Sequence, residues 1–266
     1  MSSRIPVEVV SVFTDSEGRF GNPLGLIRSS AATRGQEQRI ATELDFSETV
    51  FVDEIVEPGG GSGGHGGSTP HPRTAVIRIF TPARELPFAG HPCVGTAWWL
   101  AEQGSPVTAL RVAAGEVAVR YDGGLTWITG RADWAPVFTW HELGSPADVD
   151  ALEAESFTEG NHYAWAWVDE QAGHVRSRMF APTIGVAEDE ATGAAAVRLT
   201  DLLGRDLLID QGEGSRLLTR RLSGGLIEVG GRTVRSDSVD VEAESDAEAD
   251  HEPDADTDAE GTGAAS

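Results

Sequence analysis

Residues 7–13 carry apolar side chains at spacing two, the pattern of a strand with one buried face, and strands are likewise expected at 48–52 and 75–80, with a short helix at 36–44. Strands at 109–120 and 125–130 complete the first half. The second half predicts strands at 162–168, 175–180, 206–211, 216–222 and 225–229, with a helix at 193–203. In the first half the main helix has Pro92 in its opening turn, runs through Thr96, Trp98 and Leu100, and stops at Gly104. Short strands around one main helix in each half predict an α+β fold. The expected arrangement is two similar lobes, each a curved, mostly antiparallel sheet wrapped round a central helix, with a cleft between them.

Two segments stand apart from this pattern. Residues 58–72, PGGGSGGHGGSTPHP, have no apolar side chain to bury and are expected to form a flexible surface loop. Residues 236–266 are nearly all Asp, Glu, Ala, Ser and Thr, the composition of a solvated, disordered tail. The expected organisation is therefore an N-terminal lobe over 1–122, a C-terminal lobe over 123–235 and an acidic tail over 236–266.

The stretch 78–97, RIFTPARELPFAGHPCVGTA, joins a strand, a Gly-His-Pro corner and a helix start within twenty residues. A helix beginning beside Gly90 offers unpaired N–H groups and a positive dipole end to an anion. Arg178-Met179-Phe180-Ala181-Pro182 repeats the Arg-x-Phe-x-Pro pattern of Arg78-Ile79-Phe80-Thr81-Pro82, and it too leads through a turn, Glu188 to Gly193, into an Ala-rich helix. The chain reads as duplicated. Two related helix starts facing each other would hold a small-molecule carboxylate between them.

Charge narrows the function classes. The 266 residues carry 43 acids against 20 basic residues, every one of them arginine, for a net charge of -23. Without a lysine there is no Schiff base for pyridoxal phosphate and no Walker-type phosphate loop. So acidic a chain repels nucleic acid and anionic membranes, and neither is expected as a partner. Its composition resembles that of proteins from salt-accumulating microbes. The single cysteine, Cys93, forms no internal disulfide, and no apolar run is long enough for a signal peptide or a membrane span, so a cytoplasmic protein is expected. His65 and His71 show no metal spacing with acids or cysteine, and no metal is expected.

An ordered set of motifs resembles the phenazine-biosynthesis PhzF-like family of isomerases, relatives by fold of diaminopimelate epimerase. They are Phe13-Thr14 with Gly21-Asn22-Pro23, Ser47 to Phe51, Phe80-Thr81-Pro82 with Glu85 to Pro92, Arg178 to Gly185, Glu188-Asp189 with Ala191-Thr192-Gly193, and Gln211-Gly212, spread over about residues 7–234. The resemblance implies a cofactor-independent isomerase with the lobed fold described above. Members of the family are often homodimers; no interface is legible here.

Glu48 sits among apolar neighbours at the entry to a strand, where partial burial would raise its pKa toward neutrality and let it both take and return a proton. The resemblance implies that Glu48 is the acid/base. It implies further that His91 and Asp189, at equivalent corners of the two halves, bind substrate, with backbone N–H groups of Gly90, His91, Gly193 and Ala194 on its carboxylate. The chain departs from the family's Glu-Asp-Pro-Ala-Thr-Gly-Ser at two points, with Glu190 for the proline and Ala194 for the serine. The second change removes a hydroxyl; the first adds a negative charge near an anion site. With only Cys93, the two-thiol racemisation of diaminopimelate epimerase is not expected. A non-catalytic carboxylate-binding protein of the same fold is the alternative.

Overall fold

The computed structural model describes residues 4–57 and 73–243, so the glycine-rich segment with His65 and His71, and residues 244–266 of the acidic tail, lie outside the described residues. The chain opens with β1 (Arg4–Thr14), β2 (Asn22–Arg28), α1 (Glu37–Leu44), β3 (Glu48–Val56) and β4 (Thr74–Phe80). A two-residue strand, β5 (Glu85–Leu86), leads into α2 (Gly90–Glu102), followed by β6 (Ala109–Val112), β7 (Gly115–Asp122) and β8 (Leu125–Arg131). Then come β9 (Thr139–Glu142), α3 (Pro146–Asp150), β10 (His162–Asp169), β11 (His174–Ala181), β12 (Val186–Asp189) and α4 (Gly193–Leu203). The last strands are β13 (Leu207–Gln211), β14 (Ser215–Arg221), β15 (Leu226–Arg235) and β16 (Val239–Glu242).

Eight strands close on themselves, in the order β1, β2, β3, β4, β6, β7, β8, β15 and back to β1. From β15 the sheet continues through β14, β13, β11 and β10 to β9. The fold is α+β, mostly strand, and contains a closed eight-strand barrel. Closure removes the exposed strand edges that an open sheet would leave. Helix α2 is apolar on nearly all sides and is accordingly buried, against β1, β8 and β15; α4 packs on β14 and β15. None of the described helices is long and apolar enough to cross a membrane.

Strand pairing repeats between the halves. β2 and β3 are parallel partners across α1, as β9 and β10 are across α3. β4 pairs antiparallel with β3 and β5, and parallel with β6 across α2; β11 pairs antiparallel with β10 and β12, and parallel with β13 across α4. Each parallel link needs a crossover, and the two long helices supply the main ones. The Arg-x-Phe repeat has a physical basis here: residues two apart share a strand face. Arg78 stands 5.6 Å over the Phe80 ring and Arg178 5.0 Å over that of Phe180.

Several expected elements are corrected. The strand expected over 109–120 is a hairpin, because Gly115 at φ +145° turns the chain back and pairs Val112 with Gly115. The strand expected at 225–229 runs on to Arg235, where it pairs with β1. Strands β2, β9 and β12 and helix α3 were not anticipated; Pro23 and Gly25 inside β2 read as breakers in the sequence. Nor is 236–243 a structureless tail. There β16 pairs antiparallel with β1, and Val241 packs with Ile5, Val7, Ile40 and Phe51 in a small core outside the barrel. Its neighbouring acids turn outward, Asp240 toward Arg4 at 3.9 Å.

Candidate active site

Glu48 is the first residue of β3 and lies beside Leu24 of β2, close to the point where the chain enters that strand at Asn22. The start of α2 brings His91 to it. The imidazole Nδ1 is 3.5 Å from Glu48 Oε2, and the same nitrogen is 3.5 Å from Asn22 Nδ2. From the other half, Asp189 arrives at the end of β12 and accepts a hydrogen bond from Asn22 Nδ2 at 2.6 Å, while that amide also donates to the Ala191 carbonyl at 3.1 Å. Asn22 Oδ1 accepts from the Ser47 hydroxyl at 3.0 Å. Glu48, His91 and Asp189 are therefore gathered around one asparagine.

Burial sets the protonation of all three. Desolvation raises the Glu48 carboxyl to about 8, and the nearby Asp189 charge adds to the rise. Its Oε2 is buried without a hydrogen-bond partner, and 14 % of the side chain remains exposed. Asp189 is also raised by desolvation, against the lowering effect of its bonds from Thr192 and Asn22. His91 is 2 % exposed, and desolvation pushes it down to about 3, so its ring is neutral at any ordinary pH. Two carboxyl groups that cannot both ionise comfortably share the site with a neutral imidazole.

Behind this group lies a buried polar network. The Thr192 hydroxyl donates to Asp189 Oδ2 at 2.5 Å, and Gln211 Nε2 donates to the Asp189 carbonyl and to the Thr192 hydroxyl at 2.9 Å each. Gln211 Oε1 accepts the Thr192 N–H at 3.2 Å and lies 3.1 Å from the Tyr163 hydroxyl, which is 2.9 Å from Ser177 Oγ. Each member is buried, so each hydrogen bond fixes geometry where no water competes. The sequence singled out no catalytic or substrate-binding role for Asn22, Ser47, Thr192 or Gln211, although all four stand in the family-like motifs.

The two long helices meet end to end at the site. Gly90 and Gly193 are in backbone contact, and neither helix start is capped by a side chain: Ala89 has no acceptor and the Thr192 hydroxyl is committed to Asp189. Uncapped N-termini leave first-turn N–H groups available to an anion. A cavity of about 310 Å³ opens beside them. Glu48, Asp189, Thr192 and Ala194 line it, whereas Gly90, His91 and Gly193 are buried and not part of its wall. Its apolar walls come from Leu86, Phe88, Trp134, Phe138, Met179 and Val186, and Arg84 is the one cation among the described residues that line it. Cys93, in the first turn of α2, is wholly buried and pushed up to about 12 by desolvation, which makes it inert as a nucleophile.

Glu190 commits its carboxylate elsewhere than the helix ends, although its charge still helps to raise Asp189. The Glu190 carboxylate is turned onto the β13–β14 turn, where it accepts hydrogen bonds from Glu213, Gly214 and Ser215.

Comparison with known proteins matches residues 10–167 and 159–223 to the family model described as phenazine biosynthesis-like protein. The trans-2,3-dihydro-3-hydroxyanthranilate isomerase of Pseudomonas aeruginosa is 29% identical over 247 residues, covering 79% of this chain and 84% of its own. The enzyme of the same name from Pseudomonas fluorescens is 30% identical over 235 residues, covering 74% and 80%. Among solved structures, a phenazine biosynthesis protein of the PhzF family from Enterococcus faecalis superposes with a TM-score of 0.66 at 20% identity, covering 91% of this chain and 99% of that one.

Proposed function

The chain belongs to the phenazine biosynthesis-like protein family and is an isomerase, and from that premise we propose that it moves a proton on a small carboxylate substrate without a cofactor, with Glu48 as the acid/base. The observation that carries the reading is the raised carboxyl of Glu48, with a buried, unpartnered oxygen, on the wall of the cavity beside Asp189. A carboxyl with its midpoint near 8 is ionised in about a tenth of molecules at pH 7, and that fraction is a stronger base than an ordinary glutamate.

In the proposed cycle the substrate carboxylate rests on the first-turn N–H of Ala194, which borders the cavity, and approaches those of Gly90, His91 and Gly193 directly behind the wall. Ionised Glu48 takes a proton from a carbon activated by that carboxylate or by an unsaturated ring. The electron pair spreads into the conjugated system, and Glu48 returns the proton to a different carbon, so no oxidant or reductant is consumed. Neutral His91 and the Asn22-held carboxyl of Asp189 bind the substrate and steady the proton between departures. The apolar walls suit a ring, in keeping with the dihydrohydroxyanthranilate for which the Pseudomonas relatives are named.

Within this reading the molecule is two lobes, each a curved sheet about one long helix, α2 or α4, with the site in the cleft between them. The absence of lysine and the inert state of Cys93 support chemistry by carboxyl groups rather than by a Schiff base or a thiol pair. Incubation in heavy water with a panel of unsaturated amino-carboxylates, followed by proton NMR, tests the proposal. Solvent deuterium is expected in the product, and Glu48→Gln is expected to abolish it; full exchange in that variant would refute the role of Glu48.

A further inference from the structure

The Glu190 carboxylate is seated like a bound anion. Its Oε2 accepts the Glu213 N–H at 2.8 Å, and its Oε1 accepts the N–H groups of Gly214 and Ser215 at 3.3 Å each and the Ser215 hydroxyl at 2.6 Å. Three successive backbone N–H groups aimed at one carboxylate form the kind of concave cradle that binds anions elsewhere. Gly212, at φ +62°, lets the turn close over the group, since a Cβ there would fall on the Glu190 side chain. Arg176 holds the turn from its far side, donating to the Gly212 carbonyl at 2.6 Å.

These bonds belong to a closed circuit that spans both halves of the chain. Ser215 Oγ, wholly buried, accepts the Gly21 N–H at 2.9 Å while donating to Glu190. The next residue, Asn22, donates to Asp189, and Asp189 precedes Glu190 in the chain. Two of the five links in this ring are therefore covalent neighbours, and the other three are hydrogen bonds of 2.9, 2.6 and 2.6 Å.

The geometry points to Glu190 as a positioning residue: its carboxylate, held as an internal anion by the 213–215 turn, fixes the corner 189–193 so that Asp189 and Asn22 keep their places beside Glu48. The catalytic consequence rests on the proposed function, whereas the positioning itself can be read without turnover. Glu190 acts through Asp189 and Asn22 and touches no substrate.

Glu190→Ala empties the cradle. In nitrogen-15-labelled protein the side-chain amide signals of Asn22 are expected to move toward those of an unbonded asparagine, and excess formate, a carboxylate small enough for the cradle, is expected to restore them while chloride at equal ionic strength does not. In solvent exchange the same variant is expected to lose about tenfold in kcat with KM within about twofold, because the corner is displaced and not the anion site. Wild type with formate is the control for competition at the helix ends. Should Glu190→Ala not fold, Glu190→Gln, which puts a donor opposite the Glu213 N–H, and Ser215→Ala, which removes the shared hydroxyl, give the same reading. Asn22 signals unchanged in these variants, or changed in Glu190→Ala beyond the reach of formate, overturn the assignment. An Asn22 response as expected in a protein without exchange activity would uphold the positioning and count against the proposed function instead.

Discussion

Gly90 and Gly193 press backbone against backbone: a Cβ on Gly90 would lie 2.8 Å from both Cα and C of Gly193, and one on Gly193 would lie 2.9 Å from Gly90 Cα. The contact joins the positive ends of two helices, an arrangement that is electrostatically favourable only with negative charge nearby. In the proposed cycle the substrate carboxylate supplies that charge, so that ligand binding and helix juxtaposition would favour each other.

A methyl group at either glycine forces the helices apart. Gly193→Ala is expected to lower stability by roughly 1–3 kcal/mol, the usual cost of overpacking a close contact, and to lower solvent-exchange activity by more than tenfold, since the N–H groups no longer converge. Thermal melting and deuterium incorporation measure the two effects. Wild-type behaviour in both would mean that the contact is not needed.

Glu48 makes stability fall as pH rises. Its carboxyl titrates near 4.5 unfolded and near 8 folded, so between those values the native state holds a proton that the unfolded chain has released. The contribution is complete below 4.5, declines across the window and is lost above 8. Glu48→Gln stays neutral throughout. Its melting temperature is therefore expected to gain on wild type steadily from pH 4.5 to pH 8 and to run parallel beyond; a constant difference across that range would contradict the raised pKa.

Gln211→Leu keeps the volume of a wholly buried side chain but orphans the Thr192 N–H, while the hydroxyls of Thr192 and Tyr163 each lose one partner and keep Asp189 and Ser177. The orphaned group costs about 1–3 kcal/mol, enough for a melting-temperature drop of several degrees. Glu48 lies across the site from this network, so its own titration, followed by carbon-13 NMR, should shift less than the stability does.

Cys93 is expected to resist iodoacetamide in the native protein and to react fully once unfolded, because its thiol is buried and pushed up to about 12. Cys93→Ala should retain solvent exchange. Loss of exchange with the fold intact would restore a thiol mechanism.

Salt should stabilise the protein. Acids outnumber arginines by 43 to 20, and screening their mutual repulsion favours the compact state. Melting in low salt and in molar potassium chloride measures the effect, and a midpoint indifferent to salt would count against adaptation to high ionic strength.

Local features of the fold were legible where one signal governs. The helix over 193–203 has its bounds in Gly193 and Gly204, and the strand at 75–80 in its alternation; both match the observed elements closely. Glu48 was legible as a candidate because carboxyl groups rarely stand amid apolar neighbours without a task, and Asp189 because the repeated pattern sets it at the corner equivalent to that of His91. Barrel closure was not legible, since it depends on residues 10 and 235 becoming partners across the whole chain and no local pattern encodes that pairing. Nor were the bonds of Asn22 and Gln211, whose importance comes from what the fold sets beside them. Glu190 shows the same limit: from sequence it is a charge near an anion site, and the turn it plugs lies more than twenty residues away.

The pairing of β15 with β1 also bears on how the protein is made. A ribosome delivers the barrel's first seven strands well before the eighth, and the gap between β1 and β8 stays unsealed until residues 226–235 have emerged. Through most of synthesis the nascent chain carries an open sheet edge, so demand for chaperone protection should fall abruptly once that last staple is through the exit tunnel.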